Sequence, residues 1–193
     1  MFSDLNRYAI KPTKSINILF NSREESSVIA KAVIETADVF KGLVEKEKTT
    51  ISNRAKALFT LSAICTATTE LLRDSKKSTD KKIELAVDFW NQIGVHIPEW
   101  NMVKEGSKRS SDVRKESICS LSITLVAIGT AGRALIAANP DNWKEHLLAL
   151  DQIDWRKTNP TWNNLVFVNG KVAANRSTQH AMSSYIEKKL LQG

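Results

Sequence analysis

The sequence predicts a mainly α-helical fold, a multi-helix bundle around a long central helix with a short C-terminal β-hairpin and a final helix. Only 7 glycines and 4 prolines interrupt the 193 residues, which favours long helices over a fold with many turns. Hydrophobic residues make up 42% of the chain and charged residues 25%, the proportions of a folded globular protein. Apolar residues also recur at intervals of three and four, the spacing of one helix face.

The first twenty residues predict one short helix and one apolar segment. Ser3 can cap a helix over 4–9 through its hydroxyl oxygen. Pro12 then favours an extended backbone at Lys11, because the proline ring disfavours helical geometry in the residue before it. The apolar run 16–20 fits either a strand or a buried connector.

Residues 21–94 contain apolar residues at helical spacing, interrupted by polar connecting segments. Three helices are predicted here: from a cap at Asn21 or Ser22 to Phe40, from Ser52 or Asn53 to about Arg73, and from Thr79 to Gly94. A short strand is expected at 42–45. Pro98 and Trp100 are expected in the loop after the third helix.

The longest helix is predicted over 111–139, at the centre of the bundle. Its segment 117–132 contains no charged side chain, yet it is rich in Ser and Thr and shorter than the ~20 mostly apolar residues of a membrane span. A buried helix therefore explains it, and no membrane partner is expected. Gly129 and Gly132 each lower helix propensity by ~1 kcal/mol relative to Ala, and we interpret them as sites where a neighbouring helix approaches closely.

The C-terminal segment 151–193 has a different character. It begins as a loop that carries Trp155 and Trp162 beside basic and hydroxyl residues. Asn169-Gly170 then stands between apolar stretches, a strong signal of a tight hairpin turn because both residue types tolerate positive φ. Ser177 or Thr178 is expected to cap a final helix. The inward face of that helix is predicted to consist of Met182, Ile186 and Leu190.

The net charge of +7 is concentrated at the two ends of the chain. Residues 1–23 hold four basic side chains and one acidic one, and residues 155–193 hold six against one. The intervening residues 24–154 hold 18 against 19. A surface that contacts a polyanion is predicted if the two ends meet in space. Charge alone does not distinguish this from basic ends that only keep the protein soluble.

Cysteine and histidine usage argues against a metal site and a secreted protein. Cys65 and Cys119 lie in apolar helical patterns and are interpreted as buried free thiols of a reducing compartment. His96, His146 and His180 are far apart in the sequence, and no CxxC pair accompanies them, so no zinc site and no cofactor are expected. The N-terminus also lacks the pattern of a signal peptide, which favours the cytoplasm.

Five segments occur in an order that points to a known family: FSDLNRYAIKPTKS, NRAKALFTLSAICTATTELL, FWNQIGVHIPEW, IDW followed by NPTW, and VNGKV followed by YIEKKL. Together they resemble the DndB family, whose members accompany the enzymes that place sulfur in the DNA backbone. The likeness runs from Phe2 to Leu191. The resemblance implies a DNA-binding negative regulator of the modification genes, with duplex DNA as partner. Other modification proteins and a second copy of the chain are further expected partners.

The resemblance also suggests a division of the chain. The wider group to which the family is similar carries a DGQHR signature upstream of the part that aligns here, and this sequence does not contain it. Residues 1–23 are therefore expected to be the remnant of an upstream α/β domain. Residues 24–150 are expected to form a helical core domain, and 151–193 a basic hairpin–helix tail packed on it.

Two candidate sites for DNA or phosphate follow. In the tail, Lys171 and Arg176 are expected at phosphates, with Gln179 and Ser183 reaching base edges from the outer helix face. The alternative is a hairpin and helix that only close the core. The remaining cations of the tail assigned to the same site are Arg156, Lys157 and Lys188.

The second candidate lies at the start of the chain. It consists of Asn6, Arg7, Lys11, Thr13, Lys14 and Ser15, whose hydroxyls, cations and nearby backbone amides suit a phosphate oxygen of DNA or of a nucleotide. A P-loop motif is absent. The competing reading, the severed edge of a larger domain, is the one that these residues favour.

Two further function classes stay open beside DNA binding. An interaction module of the modification complex would use apolar helix faces without contacting DNA, and a phosphate- or nucleotide-binding part of a larger enzyme would use the N-terminal site. Catalysis by this chain is not expected, because no spacing assembles its carboxylates into a site. The carboxylates considered are Glu45, Glu47, Glu70, Asp74, Asp80 and Asp88.

Overall fold

The computed structural model describes residues 11–192. These residues contain nine α-helices and two small two-stranded sheets. The predicted mainly α fold class is therefore confirmed. The helices are α1 Lys14–Phe20, α2 Glu25–Thr36, α3 Leu61–Leu72, α4 Thr79–Val95, α5 Pro98–Glu105, α6 Ser110–Glu116, α7 Ser122–Ala138, α8 Trp143–His146 and α9 Arg176–Gln192. The strands are β1 Val44–Glu45, β2 Phe59–Thr60, β3 Phe167–Val168 and β4 Lys171–Val172. The predicted helix over 4–9, together with Asn6 and Arg7, lies outside the described residues.

The apolar run 16–20 is helical, so the expectation of a strand or connector is wrong. Thr13 has extended geometry and its side-chain oxygen accepts a 3.1 Å hydrogen bond from the backbone N–H of Ile16. This N-cap satisfies a donor of the first turn of α1. Ser15 and Ile18 are the buried residues of the helix, which packs against α2 and α3.

Helices α2 and α3 begin later than their predicted caps. The side chain of Asn21 accepts bonds from the backbone N–H groups of Arg23 and Glu24, a turn that delays the start of α2. Before α3, strand β2 pairs in parallel with β1. The position of β1 confirms the strand predicted at 42–45, whereas β2 occupies residues that were expected to be helical. Thr60 then caps α3 by accepting from the N–H of Ala63 at 3.2 Å.

Two expectations about the middle of the chain are wrong. Pro98 and Trp100 belong to helix α5, with Pro98 at its first turn, where the missing proline N–H costs nothing. The helix predicted over 111–139 is two helices, α6 and α7, because Ser117 and Ile118 leave helical geometry to bond the backbone oxygen of Trp155. The Ser117 hydroxyl donates to that oxygen at 3.0 Å and the Ile118 N–H at 2.9 Å.

Helix α7 is the buried centre of the fold, as predicted. It packs most extensively against α3 on one side and α9 on the other. A Cβ at Gly129 would stand 2.3 Å from the backbone oxygen of Ala67, and one at Gly132 would meet the ring of Phe89. Both glycines are therefore close-packing sites, as expected. The two cysteines are free and buried, which confirms that part of their interpretation.

The C-terminal hairpin is confirmed. Strands β3 and β4 are antiparallel, and the turn residues Asn169 and Gly170 have φ values of 51° and 72°, as a type I′ turn requires. Lys171 beside the turn is exposed. The cap of α9 differs from expectation, since the Asn175 side chain accepts from the N–H of Thr178 at 3.0 Å.

The inward face of α9 is also confirmed: Met182, Ile186 and Leu190 are fully buried. No helix of the described residues is long and apolar enough to cross a membrane.

Candidate nucleic-acid interface

A groove of about 270 Å³ opens where three long helices begin. We call it the Lys14 groove. Its lining combines one lysine, one glutamine, five hydroxyl side chains and a few small apolar residues. These are Lys14, Gln179, Thr49, Thr60, Ser62, Thr66, Ser122, Ala63, Ile123, Val126 and Ala174.

The parallel packing of α3, α7 and α9 creates this groove. Gly129 and Gly132 of α7 face residues of α3 in the same order along both helices, first Ala67 and then Leu71. At the far end, Leu190 of α9 accepts a 3.1 Å hydrogen bond on its backbone oxygen from His146 Nδ1, beyond the end of α7. The N-terminal ends of all three helices therefore lie together.

The groove is electropositive for two reasons. Helix N-terminal ends carry a partial positive charge and unpaired N–H groups, which favour anions. Lys14 adds a full charge, and no acidic residue of the described chain lines the groove. Its Nζ donates a 3.0 Å hydrogen bond to Thr66 Oγ1, and the same hydroxyl donates to the Ser62 backbone oxygen at 2.8 Å.

The segment that carries Lys14 is hydrogen-bonded to the loop after β1. The Thr13 hydroxyl donates to the backbone oxygen of Glu47, and the Ser15 hydroxyl donates to that of Lys48 at 3.0 Å. These contacts fix the start of α1 beside α3. They also bring the segment 45–48 to the same part of the molecule, where Lys46 and Lys48 alternate with Glu45 and Glu47 and the segment adds no net charge.

The structure therefore brings together one residue from each predicted site. Lys14 comes from the N-terminal site and Gln179 from the tail, and both line the Lys14 groove. Within residues 11–192, four other predicted cations are exposed and take part in no ion pair. They are Lys11, Lys171, Arg176 and Lys188.

Two predicted tail residues, Ser183 and Lys157, form hydrogen bonds within the protein and are partly or fully buried. Ser183 is 5% exposed and its hydroxyl donates to the backbone oxygen of Gln179, so the expected position on the outer helix face is wrong. Lys157 is half-buried and its Nζ donates to the Arg114 backbone oxygen at 2.7 Å. Burial lowers the pKa of Lys157.

Arg156 is exposed but paired. Its guanidinium donates to both carboxylate oxygens of Asp154, at 2.7 to 3.1 Å. These side-chain bonds, together with the Arg156 backbone N–H, lower the pKa of Asp154 to about 2. A phosphate that contacts Arg156 would have to compete with that carboxylate.

The hydroxyl groups of the groove do not follow from the sequence patterns. None of Thr49, Ser62, Thr66 and Ser122 belongs to a predicted site, although the segment 117–132 is rich in Ser and Thr. A signal existed at Thr60, since a threonine before an apolar helical pattern is a typical N-cap. The meeting of α3 with α7 depends on long-range packing, which no local pattern reveals.

No group of three or more metal-binding side chains occurs in the part of the chain that the structure describes. A family model described as DndB, DNA-sulfur modification-associated, matches residues 1–192. The chain belongs to the DndB family. As a DndB-family chain it is associated with DNA sulfur modification, and the recognition made from the five ordered segments is confirmed. No curated protein and no solved structure matches it.

Proposed function

We propose that this DndB-family chain is the DNA-binding, regulatory component of a DNA phosphorothioate modification system and contacts duplex DNA through the Lys14 groove. The observation that carries the proposal is the presence of Lys14 and Gln179 in one groove with five hydroxyl side chains and no carboxylate among the described residues. The role proposed is binding and regulation rather than catalysis.

A backbone phosphate fits the chemistry of the groove. Phosphate oxygens accept from lysine, from Ser and Thr hydroxyls and from the free N–H groups of helix N-terminal ends. Ser122 is exposed at the first turn of α7, and Thr66 already bonds Lys14. The exposed cations Lys171 and Arg176 stand on the hairpin and at the first residue of α9, where they extend the positive surface beyond one phosphate.

The test is a salt titration of duplex binding by the full chain, followed by fluorescence anisotropy of a labelled duplex. The logarithm of affinity is expected to fall with the logarithm of salt concentration, by about 0.9 for each phosphate neutralised. Lys14→Ala should lower affinity and flatten this slope by about one unit. Lys77→Ala is the matched control, because exposed Lys77 follows the opposite, C-terminal end of α3.

Two outcomes contradict the proposal. One is a chain that does not bind duplex DNA at low salt, and the other is a Lys14→Ala slope equal to that of Lys77→Ala. A third arm adds ATP or inorganic phosphate as competitor. Displacement of DNA by ATP at concentrations where phosphate has no effect would favour the nucleotide-binding alternative.

A further inference from the structure

A second concave site, of about 450 Å³, lies between the loop 53–56 and the connection from α5 to α6. None of its lining residues belongs to the Lys14 groove. Four of its lining residues are basic, and no acidic residue of the described chain lines it. The four are Arg54, Lys56, Lys108 and Arg109. We call it the Arg109 pocket.

Most of the positive charge of this pocket is not neutralised by the described residues. Arg54, Lys56 and Arg109 are exposed and take part in no ion pair of residues 11–192. Lys108 pairs with Glu116 at 3.1 Å. All four cations belong to the segment 24–154, whose 18 basic and 19 acidic side chains conceal this local excess. Cations that converge on one surface repel one another, and an anion that binds there relieves the repulsion.

A fifth cation, Arg114, is bound to the loop that forms one wall of the pocket. Its guanidinium donates to the backbone oxygens of Ser52, Asn53 and Ala55 at 3.0, 3.2 and 3.3 Å, and also to that of Ala57. Arg114 is half-buried and pairs with no carboxylate of the described residues. Because Arg114 does not line the pocket, these carbonyl oxygens, which would repel an anion, are engaged away from it. The charge of Arg114 adds to the positive potential there.

One loop joins the Arg109 pocket to the Lys14 groove. Thr49 lines the groove and Asn53 lines the pocket, four residues further along the chain. An extended chain spans at most about 3.6 Å per residue, so the two Cα atoms lie within about 14 Å of each other. This distance corresponds to about four base pairs, since successive charges of one DNA strand are about 3.4 Å apart along the helix axis. One duplex is therefore long enough to reach both sites.

We propose that the Arg109 pocket binds a second stretch of the phosphate backbone of the duplex that occupies the Lys14 groove. This inference rests on the proposed DNA binding and extends it to residues outside the two basic ends of the chain. The exposed guanidinium groups of Arg54 and Arg109 donate to phosphate oxygens, which guanidinium geometry suits. Contacts of this kind strengthen binding to every duplex and do not read its sequence.

The first test is the salt titration of duplex binding by full-chain variants that lack one cation of the pocket. Arg54→Gln and Arg109→Gln are each expected to weaken binding to all duplexes and to flatten the salt slope by about one unit. Lys77→Gln is the matched control, because it removes one exposed cation beyond the opposite end of α3. It should leave the slope unchanged.

The second test strengthens binding, which damage to the fold would not do. Glu116→Gln removes the carboxylate that pairs with Lys108, so Lys108 becomes available to a phosphate. Duplex affinity is expected to rise about threefold, the factor of one modest surface ion pair. Glu84→Gln changes the net charge equally but breaks the exposed pair with Lys81 in α4, and it should leave the affinity unaltered.

Three outcomes overturn the inference. Salt slopes of Arg54→Gln and Arg109→Gln equal to that of Lys77→Gln, in a chain that binds duplex DNA and responds to Lys14→Ala, would remove the Arg109 pocket and leave the proposed function standing. A chain that binds no duplex at low salt would remove both. In a parallel titration with polyglutamate, binding that Arg109→Gln abolishes while duplex affinity stays unaltered would assign the pocket to an acidic protein segment instead.

Discussion

The backbone oxygen of Ala67 in α3 lies so close to Gly129 in α7 that a methyl group on the glycine would stand 2.3 Å from it. A backbone oxygen in the middle of a helix cannot move aside as the end of a flexible side chain can. This contact sets the distance between α3 and α7. Because both helices begin at the Lys14 groove, it also sets the width of that groove.

Gly129→Ala should destabilise the protein, although helix propensity alone predicts the opposite sign. Alanine in an unobstructed helix position would add ~1 kcal/mol of stability, whereas overpacking of a close contact typically costs ~1–3 kcal/mol. The cost of overpacking is expected to exceed the gain in helix propensity, and the free energy of unfolding in urea would measure the difference. Ala134→Gly, at a half-buried position in the interior of the same helix, is the control and should lose about 1 kcal/mol. A Gly129→Ala protein as stable as the original would show that the two helices can separate freely.

Neither thiol should react in the folded protein. Burial raises the pKa of Cys65, and it raises the pKa of Cys119 to about 12 despite the hydroxyl of Ser117. The reactive thiolate is therefore scarce at pH 8. A chromogenic disulfide reagent is expected to label both cysteines only after denaturation. An introduced cysteine at the exposed Ser184 position should react at once, and equally rapid labelling of the native chain would contradict the burial.

The ion pair of Asp154 with Arg156 should be detectable in a pH titration as a lowered pKa of Asp154. The folded pKa of Asp154 is about 2, below its ordinary value of 3.8. A lowered carboxyl pKa stabilises the folded state above the ordinary value, and this contribution disappears as the pH falls from about 3.8 toward 2. Arg156→Ala should raise the pKa of Asp154 only partway, because the backbone N–H of residue 156 still donates to the carboxylate.

Carboxyl carbon NMR would follow this titration directly. Arg176→Ala, which removes a cation from a different part of the tail, should leave the pKa of Asp154 unchanged. An Asp154 pKa that stays near 2 without the guanidinium would assign the shift to the backbone bond instead.

Local patterns predicted those elements whose signals are local. Helix α4 and the Asn169-Gly170 hairpin follow from periodicity and turn chemistry, and both formed where expected. The break between α6 and α7 was not predicted, because Ser117 and Ile118 continue an apolar helical pattern. They leave it to bond Trp155, 37 or more residues away, and no window of the sequence contains both partners.

The candidate site likewise contains some residues that local patterns predict and others that only the folded structure reveals. The charge distribution identified Lys14, and the helical spacing placed Gln179 near the start of α9. The hydroxyl groups that join them come from α3 and α7, and only the packing of those helices reveals them. Ser183 is buried, contrary to the prediction, because the buried face of α9 is wider than the stripe of Met182, Ile186 and Leu190. Its neighbour Met182 is buried, and the apolar face of α9 extends to include both.

Lys171 and Arg176 should contribute to duplex binding without reading sequence. Both are exposed and outside any ion pair of the described chain, so a phosphate would meet no competing carboxylate. Changing either to Ala is expected to weaken binding to all duplexes and to flatten the salt slope by about one unit. Arg156→Ala should have a smaller effect, because its guanidinium is already shared with Asp154.

Gln179→Ala should instead alter which duplexes are preferred. Gln179 is half-buried in the Lys14 groove, at the second turn of α9, and an amide side chain can make paired hydrogen bonds to an adenine edge. If α9 enters a groove of DNA there, loss of the amide removes discrimination worth ~1–3 kcal/mol at one base pair while the salt slope stays unchanged. Competition between a randomised duplex pool and the selected sequences would measure both quantities together. An equal loss of affinity for all duplexes would place Gln179 against the DNA backbone, and the base-reading role would then be wrong while the phosphate role of Lys171 and Arg176 would stand.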